Sequence, residues 1–449
     1  MTDLFDLTRL EARALRLIEA ARRAGADAAD AVAMRGLSQE VAVRLGAVES
    51  AERAEGDEFG LRVFVGKRTA SVSANAVDDV AALAERAVAM ARLAPEDPYV
   101  GLADPALLVP PHARPELDLL DPATPSADVL AAEALAAEAA VRAVPGVTNS
   151  GGAGAWWRFG GFVLATSDGF SGGYVVSRHG RSVTAIAGSG TAMERDYDAS
   201  ARTHRDELDA PDLLGRRAGE RAVRRLNPRK VPSGPATVVY EPRAATSLLG
   251  HFVGAINGAG IARGTSFLKR ELGKPVFAPG IRITDDPLRR RGLASAPFDG
   301  EGTASAPIDL IADGVLTTWL LDSASARELD LVPNGRASRG AGQPSPSASN
   351  VTLHPGPLSP DALLRQIGTG LYVTDLIGHG ANGVTGDYSR GASGFWIENG
   401  ELAYPVSEIT IAGNLRQMFA RLTPASDLEE RFAFMTPTVA IEGLTIAGR

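Results

Sequence analysis

Six histidines and no cysteine are the strong zinc donors this chain has to offer. They are His112, His179, His204, His251, His354 and His379. A zinc site carried on one helix needs two ligands about one turn apart. No two of these histidines are that close in sequence, so a metal site would have to be assembled from scattered His, Asp and Glu. The lack of cysteine also removes disulfides, thiolate ligands and a Cys nucleophile. Two short patterns suggest other chemistry. Gly378-His379-Gly380-Ala381-Asn382-Gly383 matches the dinucleotide pattern G-x-G-x-x-G. That pattern holds a pyrophosphate only where a strand turns directly into a helix. A strand is expected at Leu371–Ile377, but Val384 to Gly391 is too Gly-rich and β-like for a helix, so a shaped loop is the better reading. Gly169-Phe170-Ser171-Gly172-Gly173 matches the nucleophile elbow G-x-S-x-G, which also needs a strand-to-helix turn. Asp168-Gly169 between two strands predicts a hairpin instead.

The elements that position such residues can be read from periodicity. Leu7 to Ala26 repeats Leu and Ala at three- and four-residue spacing, which predicts an amphipathic helix. Alternation predicts strands over Asp30–Leu45 and Phe59–Ala74, followed by a helix over Asp78–Ala94. Residues 1–95 are therefore expected as an N-terminal α+β domain. Proline-rich Pro95 to Pro125 predicts a linker or surface strap. Within 96–230, a helix from Ser126 (its N-cap) to Val144, strands Gly161–Ser167, Gly173–His179 and Ser182–Ala192, and a helix Pro211–Leu226 predict a middle α+β region. Residues 231–449 are expected as a β-rich domain, with strand Ala236–Tyr240, helix Arg243–Asn257 and hairpin turns at Asp299-Gly300, Asp313-Gly314 and Asn399-Gly400. The helix has an apolar face of Leu248, Leu249, Phe252, Val253 and Ile256. Gly250 and Gly254 inside it each cost ~1 kcal/mol relative to Ala, and the simplest account is another backbone packed close against them. The fold class expected is α+β: one or more N-terminal α/β-sandwich units, then a large, mostly antiparallel β-rich C-terminal domain.

Bulk properties exclude some partners. Net charge is −8, with 22% charged and 45% apolar residues. No Lys/Arg stripe is present, which argues against nucleic acid. Arg216, Arg217, Arg221, Arg224, Arg225, Arg229 and Lys230, interrupted by Glu220, read as a solvated helix face, with a charged interface as the other reading. No apolar run reaches the ~18–20 residues of a membrane helix. Met1-Thr2-Asp3 lacks a basic, then apolar, leader, so a cytoplasmic location is expected.

Two long stretches carry a resemblance. One is Ser338-Arg339-Gly340 through Pro344-Ser345-Pro346-Ser347 to Asn350. The other runs from Gly370, Tyr372, Thr374 and Asp375 through Gly378-His379-Gly380, Thr385-Gly386-Asp387-Tyr388-Ser389-Arg390-Gly391, Trp396 and Glu398-Asn399-Gly400 to Tyr404-Pro405, Ser407-Glu408 and Gly413-Asn414. With Gly60 to Ser73 and Ile441 to Gly448, they closely resemble the TldE (PmbA) branch of the TldD/TldE family. The resemblance implies a cytoplasmic heterodimer acting as a zinc metallopeptidase on unfolded or short peptides, with the zinc held by the TldD-like subunit through an HExxxH stretch and a cysteine. Position by position, Gly250 stands where the first His would be, His251 where the Glu would be, and Ala255 where the second His would be. The cysteine ligand has no counterpart. The resemblance therefore implies no catalytic residue, no metal and no cofactor in this chain, with zinc in a TldD-like partner; a homodimer is the alternative assembly where that partner is absent. The role left is to shape the substrate chamber, and strand edges suit an extended peptide. His379, Asn382, Asp387, Tyr388, Ser389 and Arg390 are candidates for contact with substrate or partner, the other reading being that they shape tight turns. A non-enzymatic peptide- or protein-binding modulator and a homodimeric metallohydrolase built from scattered residues are the alternatives.

Overall fold

The computed structural model describes residues 5–76 and 79–448; Met1-Thr2-Asp3 and the expected helix start at Asp78 lie outside the described residues. Helix α1 (Leu7–Arg23) is capped by the Asp6 side chain and buries Leu10, Ala14, Leu17, Ile18 and Ala21, the stripe its periodicity predicts. Strands β1 (Ala28–Arg44), β2 (Ala47–Val65) and β3 (Arg68–Ala74) precede helix α2 (Val80–Leu93). After the proline-rich segment come α3 (Ala127–Arg142, capped by Ser126), β4 (Val147–Thr166), β5 (Ser171–Ala187), β6 (Glu194–Arg202) and α4 (Pro211–Arg224).

These strands form one antiparallel sheet in the order β3-β2-β1-β4-β5-β6. The long β1–β4 pairing, from Asp30↔Thr166 to Val43↔Ala153, places residues of 1–95 and of 96–230 in a single sheet. Helices α1 and α2 cover Ala29, Ala31, Leu61 and Val63, while α3 and α4 cover Val41, Trp157, Val183 and Ala185 on the same face. The strands run further than alternation predicts. In β2, residues Ala47–Glu55 are all exposed, so no buried face leaves an apolar signature. The β5 strand runs through Gly180, where a break was expected. The basic run is not a purely solvated face either. Arg221 reaches Asp198 at 3.3 Å, and the largely buried Arg225 donates to Ser393 Oγ at 2.7 Å.

The C-terminal part opens with β7 (Gly234–Tyr240) and helix α5 (Pro242–Ala255). A small sheet follows, built from β8 (Ile283–Asp285), β9 (Ile308–Ala312) and β10 (Val315–Leu316). Two short strands, β11 (Ala337–Ser338) and β12 (Ser345–Pro346), pair with each other, and β13 (Val351–Leu353) joins β8. The larger sheet holds β14 (Gly370–Ile377), β15 (Asp387–Glu398), β16 (Glu401–Asn414) and β17 (Leu422–Pro424). Strand β18 (Phe434–Met435) extends the small sheet, and β19 (Val439–Ala447) returns to the larger one. There the order is β16-β15-β14-β7-β19-β17, and β16 also pairs with β19. That last pairing closes β7, β14, β15, β16 and β19 into a ring. The fold is thus α+β with a β-rich C-terminal region. Hairpins form at Asp313-Gly314 and Asn399-Gly400 as expected. Asp299-Gly300 does not form one. The Asp299 carboxylate is buried and accepts from the backbone N–H groups of Glu301, Thr303 and Ala337 at 2.9–3.0 Å, folding a compact loop instead. Among the described residues no helix is long and apolar enough to cross a membrane.

The open face of the first sheet docks on this region. Phe298 packs with Val32, Leu164 and Phe170, and the proline-rich strap adds Val109, whose N–H donates to Gly302 O at 3.0 Å. At Gly60 of β2 the approach is so close that a Cβ would sit 2.1 Å from the Ala341 carbonyl oxygen.

Candidate functional site

Helix α5 is anchored by one face and open on the other. Leu248, Leu249 and Phe252 sink into the C-terminal core, where Phe252 meets Phe277 and Phe419 edge-on. The opposite face carries Gly250, His251 and Gly254, brought together by three- and four-residue spacing. Here the structure corrects the expectation of a closely packed backbone: a Cβ at Gly250 or Gly254 would meet nothing within 4 Å. Packing does not account for these glycines. They leave open space beside the helix. Ala255 faces the core and is 5% exposed.

Across from His251 lie residues from two strands. Tyr240 ends β7, and Tyr388 and Arg390 begin β15, which pairs with β14 next to β7. The His251 and Tyr388 rings meet edge-on, with centroids 6.0 Å apart. Tyr240 and Tyr388 are fully buried, yet neither hydroxyl has a hydrogen-bond partner of good geometry. His251 Nε2 and Arg390 Nε are also buried and unpartnered, while Arg390 Nη2 donates to Leu376 O at 3.4 Å. Burial pushes the Tyr240 phenol well above its usual range, and the neighbouring Tyr388 adds to this. Burial also raises Tyr388, against the opposing influence of Tyr240 and Arg390. Burial lowers the pKa of His251, and the positive charges of Arg390 and His379 lower it further, so the imidazole is held neutral.

The loop residues singled out in the sequence therefore divide. Tyr388 and Arg390 lie beside His251 of α5, and His379, itself exposed, acts on His251 through its charge. Asn382, Asp387 and Ser389 shape the loop. Asn382 Oδ1 accepts from Val384 N at 2.9 Å and Thr385 N at 3.2 Å. Asp387 accepts from Thr385 Oγ1 at 2.7 Å and Asn414 Nδ2 at 3.2 Å, and these bonds lower its pKa. Ser389 N donates to Gly380 O at 2.6 Å. No helix follows Gly383, so the G-x-G-x-x-G match does not make a pyrophosphate cradle. Tyr240 was missed by the sequence reading. Its position at the end of the strand that leads into α5 was the available signal.

The side chains present do not fit a zinc ion. One imidazole faces a guanidinium, and Gly250 and Ala255 bring no donor. Among the described residues no three His, Cys, Asp or Glu side chains group so as to hold a metal. Family comparisons bear on the same region. Residues 233–448 match the PmbA/TldA metallopeptidase C-terminal domain, 120–226 its central domain and 29–91 its domain 1. The metalloprotease PmbA of Escherichia coli O157:H7 is 39% identical over 85% of this chain and 83% of its own length. The chain belongs to the PmbA/TldD metallopeptidase family. The PmbA homologue of Haemophilus influenzae is 37% identical over 90% of this chain and 88% of its own. TldE from Thermococcus kodakarensis shares the fold of this PmbA/TldD family member, with a TM-score of 0.85 over 97% of this chain and 99% of its own at 20% identity. Within the family's C-terminal domain, α5 is thus a helix whose open face carries glycines and one neutral histidine.

Proposed function

We propose that this chain is the zinc-free subunit of a two-chain zinc metallopeptidase, paired with a TldD-like subunit that carries the metal and acting on unfolded or short peptides. The observation that carries this reading is the open face of α5. Position 250 lacks a side chain, position 255 is an alanine packed in the core, and the lone imidazole of His251 is held neutral among hydrogen-bond donors. A catalytic zinc needs about three protein ligands and an open position for water. The family membership supplies the peptidase context. The polar cluster opposite α5 gives the chain a way to contact substrate in a chamber completed by its partner. The absence of a membrane-length helix among the described residues fits a cytoplasmic setting.

The test is hydrolysis of unstructured peptides by this chain, by the HExxxH-bearing chain of the same genome, and by their mixture. Turnover is expected in the mixture, sensitive to chelator, and absent from this chain alone. Chelator-sensitive turnover by this chain alone would overturn the reading.

A further inference from the structure

The cluster opposite α5 is rich in hydrogen-bond donors and holds no anionic acceptor. Arg390 Nε can only donate. The Tyr240 and Tyr388 hydroxyls each bring a proton, and a neutral imidazole can present one at Nε2. All of these atoms are buried and make no hydrogen bond of good geometry; Tyr388 draws only on weaker side-chain contacts with Tyr240 and Arg390. Besides burial, Tyr240 and Tyr388 perturb each other, Arg390 acts on both and on His251, and His379 acts on His251; none of these groups is a carboxylate. Buried polar groups are ordinarily paired, so such a set implies a partner supplied from outside the chain. That partner must accept several hydrogen bonds and tolerate a guanidinium. The half-buried side of His251, next to the open space at Gly250 and Gly254, gives it a way in.

We infer that Arg390, Tyr388, Tyr240 and His251 form a binding site for a carboxylate. A carboxylate has two oxygens with about four lone-pair directions between them, which matches the donors present. A charge-assisted bond from Arg390 would supply most of the affinity, and the two phenols would fix the orientation. The C-terminus of a peptide and an acidic side chain carry the same group. That the occupant is part of a peptide substrate rests on the proposed peptidase reading. The chemistry of the site does not.

The full-length chain without its partner is titrated calorimetrically with trialanine, with trialanine amide, and with N-acetyl-Ala-Glu-Ala-amide. Binding of trialanine, of the glutamyl peptide or of both is expected, with the uncharged amide at least about tenfold weaker. Binding of trialanine alone assigns the site to chain termini, and binding of the glutamyl peptide alone assigns it to acidic side chains. Arg390→Gln and, with less risk to the fold, Tyr388→Phe are each expected to weaken the acid peptides about tenfold and to leave the amide unchanged. Equal affinity for acid and amide, or no binding of either acid at millimolar concentration, overturns the inference. These titrations read binding and not turnover. A mixture that fails to hydrolyse peptides would therefore defeat the proposed function while leaving this site standing. Hydrolysis by the mixture, with acid and amide peptides bound equally by this chain, would do the reverse.

Discussion

Arg339 of the C-terminal region places its Nη2 2.5 Å from Oδ1 of Asp30 on β1, and neither side chain is exposed. Arg62 of β2 donates to the same carboxylate through Nε at 3.0 Å. Burial alone would raise the pKa of Asp30, but the two guanidinium groups outweigh it and hold the residue ionised. The two halves of the molecule are thus joined by a dry charge cluster beside the close approach at Gly60.

Asp30→Ala leaves two buried guanidinium groups without their counter-charge. Removing one partner of a buried ion pair costs about 3–5 kcal/mol. The expected result is a loss of that order in urea unfolding. A loss below about 1 kcal/mol would show that water enters the seam.

Glu301 lies at the edge of this cluster. Its Oε1 is 4.0 Å from Arg62 Nη2, and Oε2 accepts from Ser323 N at 2.8 Å. Burial, reinforced by the neighbouring Asp299, pushes its pKa up to about 7 from an ordinary 4.5. Between those values the folded chain holds a proton that the unfolded chain has released. Stability contributed by Glu301 is therefore full below about pH 4.5, falls as pH rises towards 7 and stays low above it. Glu301→Gln should remove this slope, making the variant more stable than the parent at pH 8 by a margin on the order of 3 kcal/mol. Unfolding midpoints at pH 5 and pH 8 for both proteins decide it, and parallel pH profiles would refute it.

Gly250 lies in the interior of α5 with nothing for a Cβ to meet. Gly250→Ala should stabilise the chain by about 0.5–1 kcal/mol through helix propensity alone. A destabilised variant would mean that the space beside the helix is filled.

Tyr388→Phe removes a buried hydroxyl that makes no hydrogen bond of good geometry. Without ligand it should raise stability by about 1 kcal/mol, since the penalty for burying the hydroxyl is lifted. The same substitution is expected to weaken carboxylate binding. A gain in stability together with a loss of affinity would mark the hydroxyl as kept for its ligand and not for the fold.

Elements whose apolar residues follow one period were legible in the sequence. The stripe of α1, the Ser126 cap of α3 and the hairpin at Asn399-Gly400 all lie where local pattern puts them. What the pattern could not reach was non-local. The exposed start of β2 has no apolar face to betray it, and Gly180 hides the continuity of β5. The Asp299-Gly300 dipeptide reads as a hairpin because turn chemistry ignores burial. At the candidate site, the family resemblance singled out Gly250 and His251, and the polar loop of the second long stretch singled out Tyr388 and Arg390. Their meeting, and the part played by Tyr240, depend on strands β7, β14 and β15 lying side by side. The helical glycines were misread because sequence cannot tell close packing from open space.

The ring in the C-terminal region has a bearing on how the chain reaches its fold. Strand β7 finds both its neighbours, β14 and β19, far downstream, with Tyr240 opposite Val373 and Val439. The sheet and the cluster facing helix α5 therefore cannot assemble while the first of these elements leaves the ribosome. They must wait for strands made much later. Such distant pairing is slow, and apolar strands stay unprotected in the meantime. Newly made chains should thus depend on chaperones over that interval, and the carboxylate-binding cluster should be among the last parts of the molecule to mature.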